Sequence, residues 1–147
     1  MYKFSKKSKE RLSTCHNDII LILNELIKIY DFSVLEGHRS KETQQQYFKD
    51  GKSTLDGVNK VSKHQSLPSM AVDLFPYMRG SNAFSGNEKD SRRFYTMMGM
   101  VSAIGTRLLS EGVISHTVRF GLDWDGDDTY RDQTFDDLPH FELVKTK

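Results

Sequence analysis

The chain has 147 residues, 37% hydrophobic and 28% charged, the balance of an ordinary folded domain rather than a disordered segment or two separate cores. Its net charge of +1 supplies no global field toward nucleic acid or a membrane surface. Cys15 is the single cysteine, which excludes an intramolecular disulfide and any zinc site built from cysteines of one chain.

In chain order, residues 5–30 read as one long amphipathic helix, with Leu12, Cys15, Ile19, Leu23, Leu26 and Tyr30 at spacings of three and four. Lys3, Lys6, Lys7, Lys9 and Arg11 put positive charge at its start, the wrong end for the helix dipole, and are read as a solvated first turn. The apolar run at residues 19–23 is too short for a signal peptide or a membrane span. The expectation is synthesis in the cytoplasm without a leader and no stable membrane insertion.

Residues 32–36 predict a strand closed by Gly37. Ser40 is the expected N-cap of a helix to about Asp50, with Gly51 as its stop. Residues 51–61 read as a loop. A second strand covers residues 70–75, with Ala71, Asp73 and Phe75 on one face and Met70, Val72 and Leu74 on the other. A polar loop at 78–90 precedes a helix from about Arg92 to Ser110, capped by Asp90 or Ser91 and closed by Gly112. Residues 117–120 and 140–144 predict two further strands. Strands not separated by regular helices argue an α+β fold with an antiparallel sheet of about four strands.

Two stretches carry chemistry. His64 lies in a polar loop and Asp73 on the following strand; His140 begins the last strand, with Glu142 on its face. A carboxylate among apolar strand residues needs a partner or a metal, so Asp73 reads either as a metal ligand or as half of a salt bridge with an Arg or Lys. With cysteine unavailable, His64, Asp73 and His140 could hold one zinc ion and leave a position for water. Asp137, three residues before His140, could act as the base that such a hydrolytic site requires. His16, His38 and His116 receive no role.

Three blocks make the chain resemble the zinc peptidases of the VanY/VanX type, which cut peptidoglycan peptides, and within them the bacteriophage L-alanyl-D-glutamate endolysins. The first is Gly37-His38-Arg39-Ser40 followed by Gln44, Phe48 and Gly51. The second is Ser62-Lys63-His64 with Ala71-Val72-Asp73. The third is Asp137-Leu138-Pro139-His140-Phe141-Glu142. Two more residues separate His64 from Asp73 than in the family pattern, and Leu67-Pro68-Ser69-Met70 stands where its glycine falls. A loop absorbs such a change at little cost, so the difference is expected at the substrate rim.

The resemblance implies a single zinc peptidase domain over residues 1–147, with the hedgehog/D-Ala-D-Ala-peptidase-like fold. It makes His64, Asp73 and His140 the zinc ligands and Asp137 the general base. Arg39 would hold the substrate carbonyl oxygen or a nearby carboxylate, and Ser62 would line the site. The implied substrate is the L-alanyl-D-glutamate bond of peptidoglycan, cut in the periplasm by a monomer released with a holin-type partner. The alternatives are a D-alanyl-D-alanine carboxypeptidase or dipeptidase and a non-catalytic zinc-stabilised binding module. Residues 123–137 contain seven aspartates, of which Asp123, Asp125 and Asp127 alternate around Gly126 as in a calcium loop. With Asp132 they form a candidate Ca2+ site, which some related phage endolysins resemble in using calcium for regulation. Trp124, the only tryptophan, could wall the substrate cleft or cover the core, and the core is the expectation.

Overall fold

The computed structural model describes residues 1–80 and 86–146. Part of the expected 78–90 loop therefore lies outside the described residues. Four helices, α1 (Lys6–Leu12), α2 (Asn17–Leu26), α3 (Lys41–Lys49) and α4 (Glu88–Ser110), accompany four strands, β1 (Phe32–Glu36), β2 (Ala71–Pro76), β3 (His116–Phe120) and β4 (His140–Lys145). The strands form one antiparallel sheet in the order β1-β2-β4-β3. The expected α+β architecture is found.

The long N-terminal helix is instead two helices. The Ser13 hydroxyl donates to the Glu10 carbonyl and the Thr14 hydroxyl to the Arg11 carbonyl, competing with the helical ladder. His16 then caps α2, its Nδ1 accepting from the Asp18 N–H at 3.1 Å. Apolar spacing runs unbroken through this corner, so periodicity alone conceals it. Its consequence is electrostatic: Lys9 and Arg11 fall in the last turn of α1, where positive charge is favourable. α4 starts four residues before the expected position because Asn87 caps it.

One sheet face is the core. Val34, Val72, Leu74, Phe141 and Leu143 are fully buried there, under Ile19, Ile22, Leu23 and Leu26 of α2 and Phe94, Met97 and Val101 of α4. Each such side chain contributes about 1.5–3 kcal/mol of transfer free energy. The opposite face carries the polar row Glu36, Asp73 and His140, which are paired across β1, β2 and β4. A register shift between Val34 and Glu36 produces this row. Simple alternation would set Leu35 opposite Asp73; the bulge inserts Leu35 as an extra residue and brings Glu36 there.

The outer edge of β1 is covered by α1. The Val34 N–H donates to Ser8 Oγ at 3.1 Å, and Arg11 Nη1 donates to the Val34 carbonyl at 2.9 Å. A sheet edge that could pair with another chain is thereby closed. No helix among the described residues is long and apolar enough to cross a membrane.

Candidate active site

His64 sits in a 3-10 turn, Lys63–Gln65, closed by a capping box with Ser62. Ser62 is buried, and its Oγ accepts from the His64 N–H, so its hydroxyl shapes the turn. The backbone also ties the first two sequence blocks together, because the Arg39 N–H donates to the His64 carbonyl at 2.8 Å. His64 Nδ1 lies 2.7 Å from the Gly37 carbonyl and donates to it, which leaves the Nε2 lone pair free to face inward. Gly37 makes this contact by lying flush on the end of α1. A Cβ there would come within 2.5 Å of the Arg11 carbonyl oxygen and the Thr14 hydroxyl.

His64 Nε2, His140 Nδ1 and Asp73 Oδ1 form a nearly regular triangle, with edges of 3.3, 3.4 and 3.1 Å. Three corners of a tetrahedron around an ion bound at 2.0–2.1 Å stand about 3.3–3.4 Å apart. These donors therefore fit a zinc-type ion without rearrangement. Burial alone would raise the Asp73 carboxyl pKa, but the bonds and charge of His140 and His64 outweigh it and hold the group far below the usual carboxylate range. Burial likewise opposes a charged His64, yet the Asp73 hydrogen bond and charge shift it upward.

Arg39 reaches the site through a fixed fork. Its Nε and Nη2 donate to the two Glu36 oxygens at 2.9 and 2.6 Å, and Nη1 donates to Gln44 Oε1 at 2.7 Å. The guanidinium lies 4.7 Å from the centre of the Tyr47 ring, and Nη2 is 3.8 Å from Asp73 Oδ2. Gln44 is fully buried and anchors the 51–61 loop by donating to Ser53 Oγ and the Leu55 carbonyl. Alternation along β1 does not identify Glu36 as Arg39's partner, because the bulge reverses its facing.

Asp137 enters on a tight turn in which the His140 N–H donates to the Asp137 carbonyl at 3.2 Å and the Asp137 N–H donates to the Gly121 carbonyl at 2.9 Å. Burial and the Asp73 charge raise its carboxyl pKa, while His140, His64 and Arg39 partly offset this. All four groups thus lie within electrostatic range of Asp137. A Cβ on Gly121 would overlap the Asp137 backbone and its Cβ. Gly121→Ala should therefore displace the carboxylate and reduce turnover about 100-fold, as an ångström of misplacement does, while bound metal stays stoichiometric. Kinetics alongside metal analysis check this.

Trp124 does not serve the core as expected. It is half-buried with its ring 5.3 Å from that of His140, and its Nε1 donates to the Phe135 carbonyl. It walls the His64, Asp73 and His140 cluster on the His140 side. Glu142, on the His140 face as expected, is buried and paired with Arg119 at 2.9 Å. The residues inserted between His64 and Asp73 are tied down by backbone bonds from Ser69 N–H to Thr14 and from His16 N–H to Ser69, at the α1–α2 corner.

His16 and His116, given no role from sequence, converge on buried Asp18. Asp18 Oδ2 accepts from the Ser115 and His116 N–H groups and lies 2.8 Å from His116 Nδ1, fastening α2 to the start of β3. In the acidic loop Asp123, Asp125 and Asp127 converge, without Asp132. Asp123 accepts from the N–H groups of Gly126, Asp127 and Asp128. Such a turn forms these contacts without an ion.

No curated protein matches the chain. The L-Ala D-Glu endopeptidase ChiX of Serratia marcescens is a structural neighbour, with a TM-score of 0.62, 23% identity, and 97% of this chain and 90% of that chain covered. This likeness shows the fold. Residues 1–144 match the family model described as phage L-alanyl-D-glutamate peptidase, and the chain belongs to that family.

Proposed function

We propose that this member of the family hydrolyses the L-alanyl-D-glutamate bond of peptidoglycan stem peptides with one zinc ion held by His64, Asp73 and His140, and serves as a lysin against the host wall. The observation that carries the zinc reading is the donor triangle, whose edges of 3.1–3.4 Å suit a tetrahedral ion. Zinc, when bound, polarises the scissile carbonyl and acidifies the attacking water. Asp137 takes the proton from that water as its oxygen bonds to the carbonyl carbon, then returns it to the leaving amine as the C–N bond breaks. A carboxyl whose pKa is raised by burial suits this double duty. Arg39 steadies the negative charge developing on the carbonyl oxygen. Three of its five N–H groups are bonded to Glu36 and Gln44, so the rest can turn to substrate without moving the fork.

Action as a monomer on periplasmic wall, delivered by a holin-type partner, completes this reading. A calcium ion is not needed to shape the acidic turn, because Asp123 accepts from the Gly126, Asp127 and Asp128 N–H groups. Zinc-loaded protein incubated with purified muropeptides should yield fragments beginning at D-glutamate, read by mass spectrometry. Release of a terminal D-alanine instead, or no hydrolysis, would overturn the assignment.

A further inference from the structure

A groove of about 600 Å³ opens beside the metal cluster, with a wall running from Asp73 across Glu36, Gly37 and His38 to Tyr47 and Arg11. This is far more room than an ion and a water need. We infer that the groove seats the amine side of the scissile bond and that Arg11 binds the free carboxylate of the D-glutamyl residue. The inference rests on the peptidase reading above.

The chemistry of the substrate sets the requirement. A glutamyl residue whose nitrogen is acylated and whose chain continues through one carboxyl leaves the other carboxylate free. Arg39 is a poor reader for it, because the Glu36 carboxylate already pairs with its guanidinium at 2.6 and 2.9 Å. Arg11 has no carboxylate within ion-pair distance among the described residues. It donates to the Val34 carbonyl, which uses one of its five N–H groups. Its backbone is fixed as well, since its carbonyl accepts from Thr14 Oγ1 at 2.6 Å and rests against Gly37. The guanidinium is therefore positioned before substrate arrives, which lowers the entropy cost of binding.

The reach is appropriate. Glu36 is opposite Asp73, and Arg11 lies along the outer edge of β1. Two strand spacings, about 10 Å, separate that edge from β2, and the free carboxylate of the residue that carries the scissile nitrogen, with a hydrogen bond of about 3 Å beyond it, covers most of that distance. Glu10 also lines the groove, but it is exposed and its field is screened by water, whereas Arg11 is half-buried. A carboxylate held by several guanidinium N–H groups gains charge-assisted, bidentate bonds.

The test uses two synthetic stem peptides that differ only in this group, one with D-glutamate and one with its free carboxylate converted to a carboxamide. Wild-type protein should prefer the carboxylate peptide. Arg11→Gln removes the guanidinium charge and should raise KM for the carboxylate peptide roughly ten- to hundredfold while hardly changing the carboxamide peptide. Arg11→Lys should retain part of the preference. Equal losses on both peptides would mean a merely structural Arg11 and would overturn the inference, as would an unchanged preference. If wild-type protein cleaves neither peptide, the peptidase reading itself falls and takes this one with it.

Discussion

Asp137→Asn should leave the protein folded and metal-loaded while turnover falls by roughly 10²–10⁴-fold, the range for loss of a general base. Asparagine matches aspartate in shape but cannot take a proton. The turn that presents residue 137 is held by backbone bonds to Gly121 and His140, which the substitution leaves intact. The three groups that could hold the metal are His64, Asp73 and His140, so zinc content should not change. Metal-free variant should melt no lower than metal-free wild type, because a carboxyl disfavoured by burial and by the Asp73 charge has been neutralised. Retained turnover would remove Asp137 from the mechanism. Zinc loss in step with activity would make it a ligand instead.

Asp73→Ala should abolish stoichiometric zinc after dialysis and, with it, hydrolysis. It deletes one of three donors, a heavier loss than the roughly 10- to 100-fold that follows from removing an outer partner. The same variant tests the charge pairing in metal-free protein. Asp73 is depressed on folding, so its contribution is present above the unfolded carboxyl value, about 3.9, and is lost as pH falls through the folded one. His64 is raised, so its contribution is complete below the unfolded imidazole value, about 6.5, and is lost as pH rises through the folded one. Metal-free wild type should therefore be most stable between these limits and weaken above them. Asp73→Ala should flatten that alkaline loss. Zinc competes with the proton for the His64 nitrogen, so metal retention in wild type should run the other way and fail in acid. A melting series at several pH values, with and without chelator, separates these behaviours. An unchanged pH profile in the variant would dissociate Asp73 from His64.

The sheet and the meeting of His64, Asp73 and His140 in one cluster were legible, the first from strand alternation and the second because three blocks of the sequence resemble those of a known family. Asp73 on an apolar strand demanded a partner, and His140 faced it as its position at the start of β4 required. The break at residues 13–16 was hidden because apolar spacing continues through it, while hydroxyl-to-carbonyl bonds at Ser13 and Thr14 end α1. Trp124 was assigned to the core on residue type, which says nothing of a ring that must cover His140. His16 and His116 looked idle because their meeting at Asp18 joins elements about a hundred residues apart in the chain. Glu36 was missed for a different reason. Its partnership with Arg39 requires one residue of strand to be out of step with its neighbours, and no periodicity encodes that.

That single step has a consequence for how the strand can be altered. Phe32 and Val34 obey the parity of the core, whereas Glu36 obeys the parity of the catalytic face, and Leu35 is the unit that converts one into the other. Deleting Leu35 would remove the bulge and leave Glu36 directly after Val34, still opposite Asp73, whereas straightening the strand with Leu35 in place would set Leu35 opposite Asp73 and turn Glu36 to the core face. A graft of this strand onto another scaffold must therefore preserve its bulge, not only its composition.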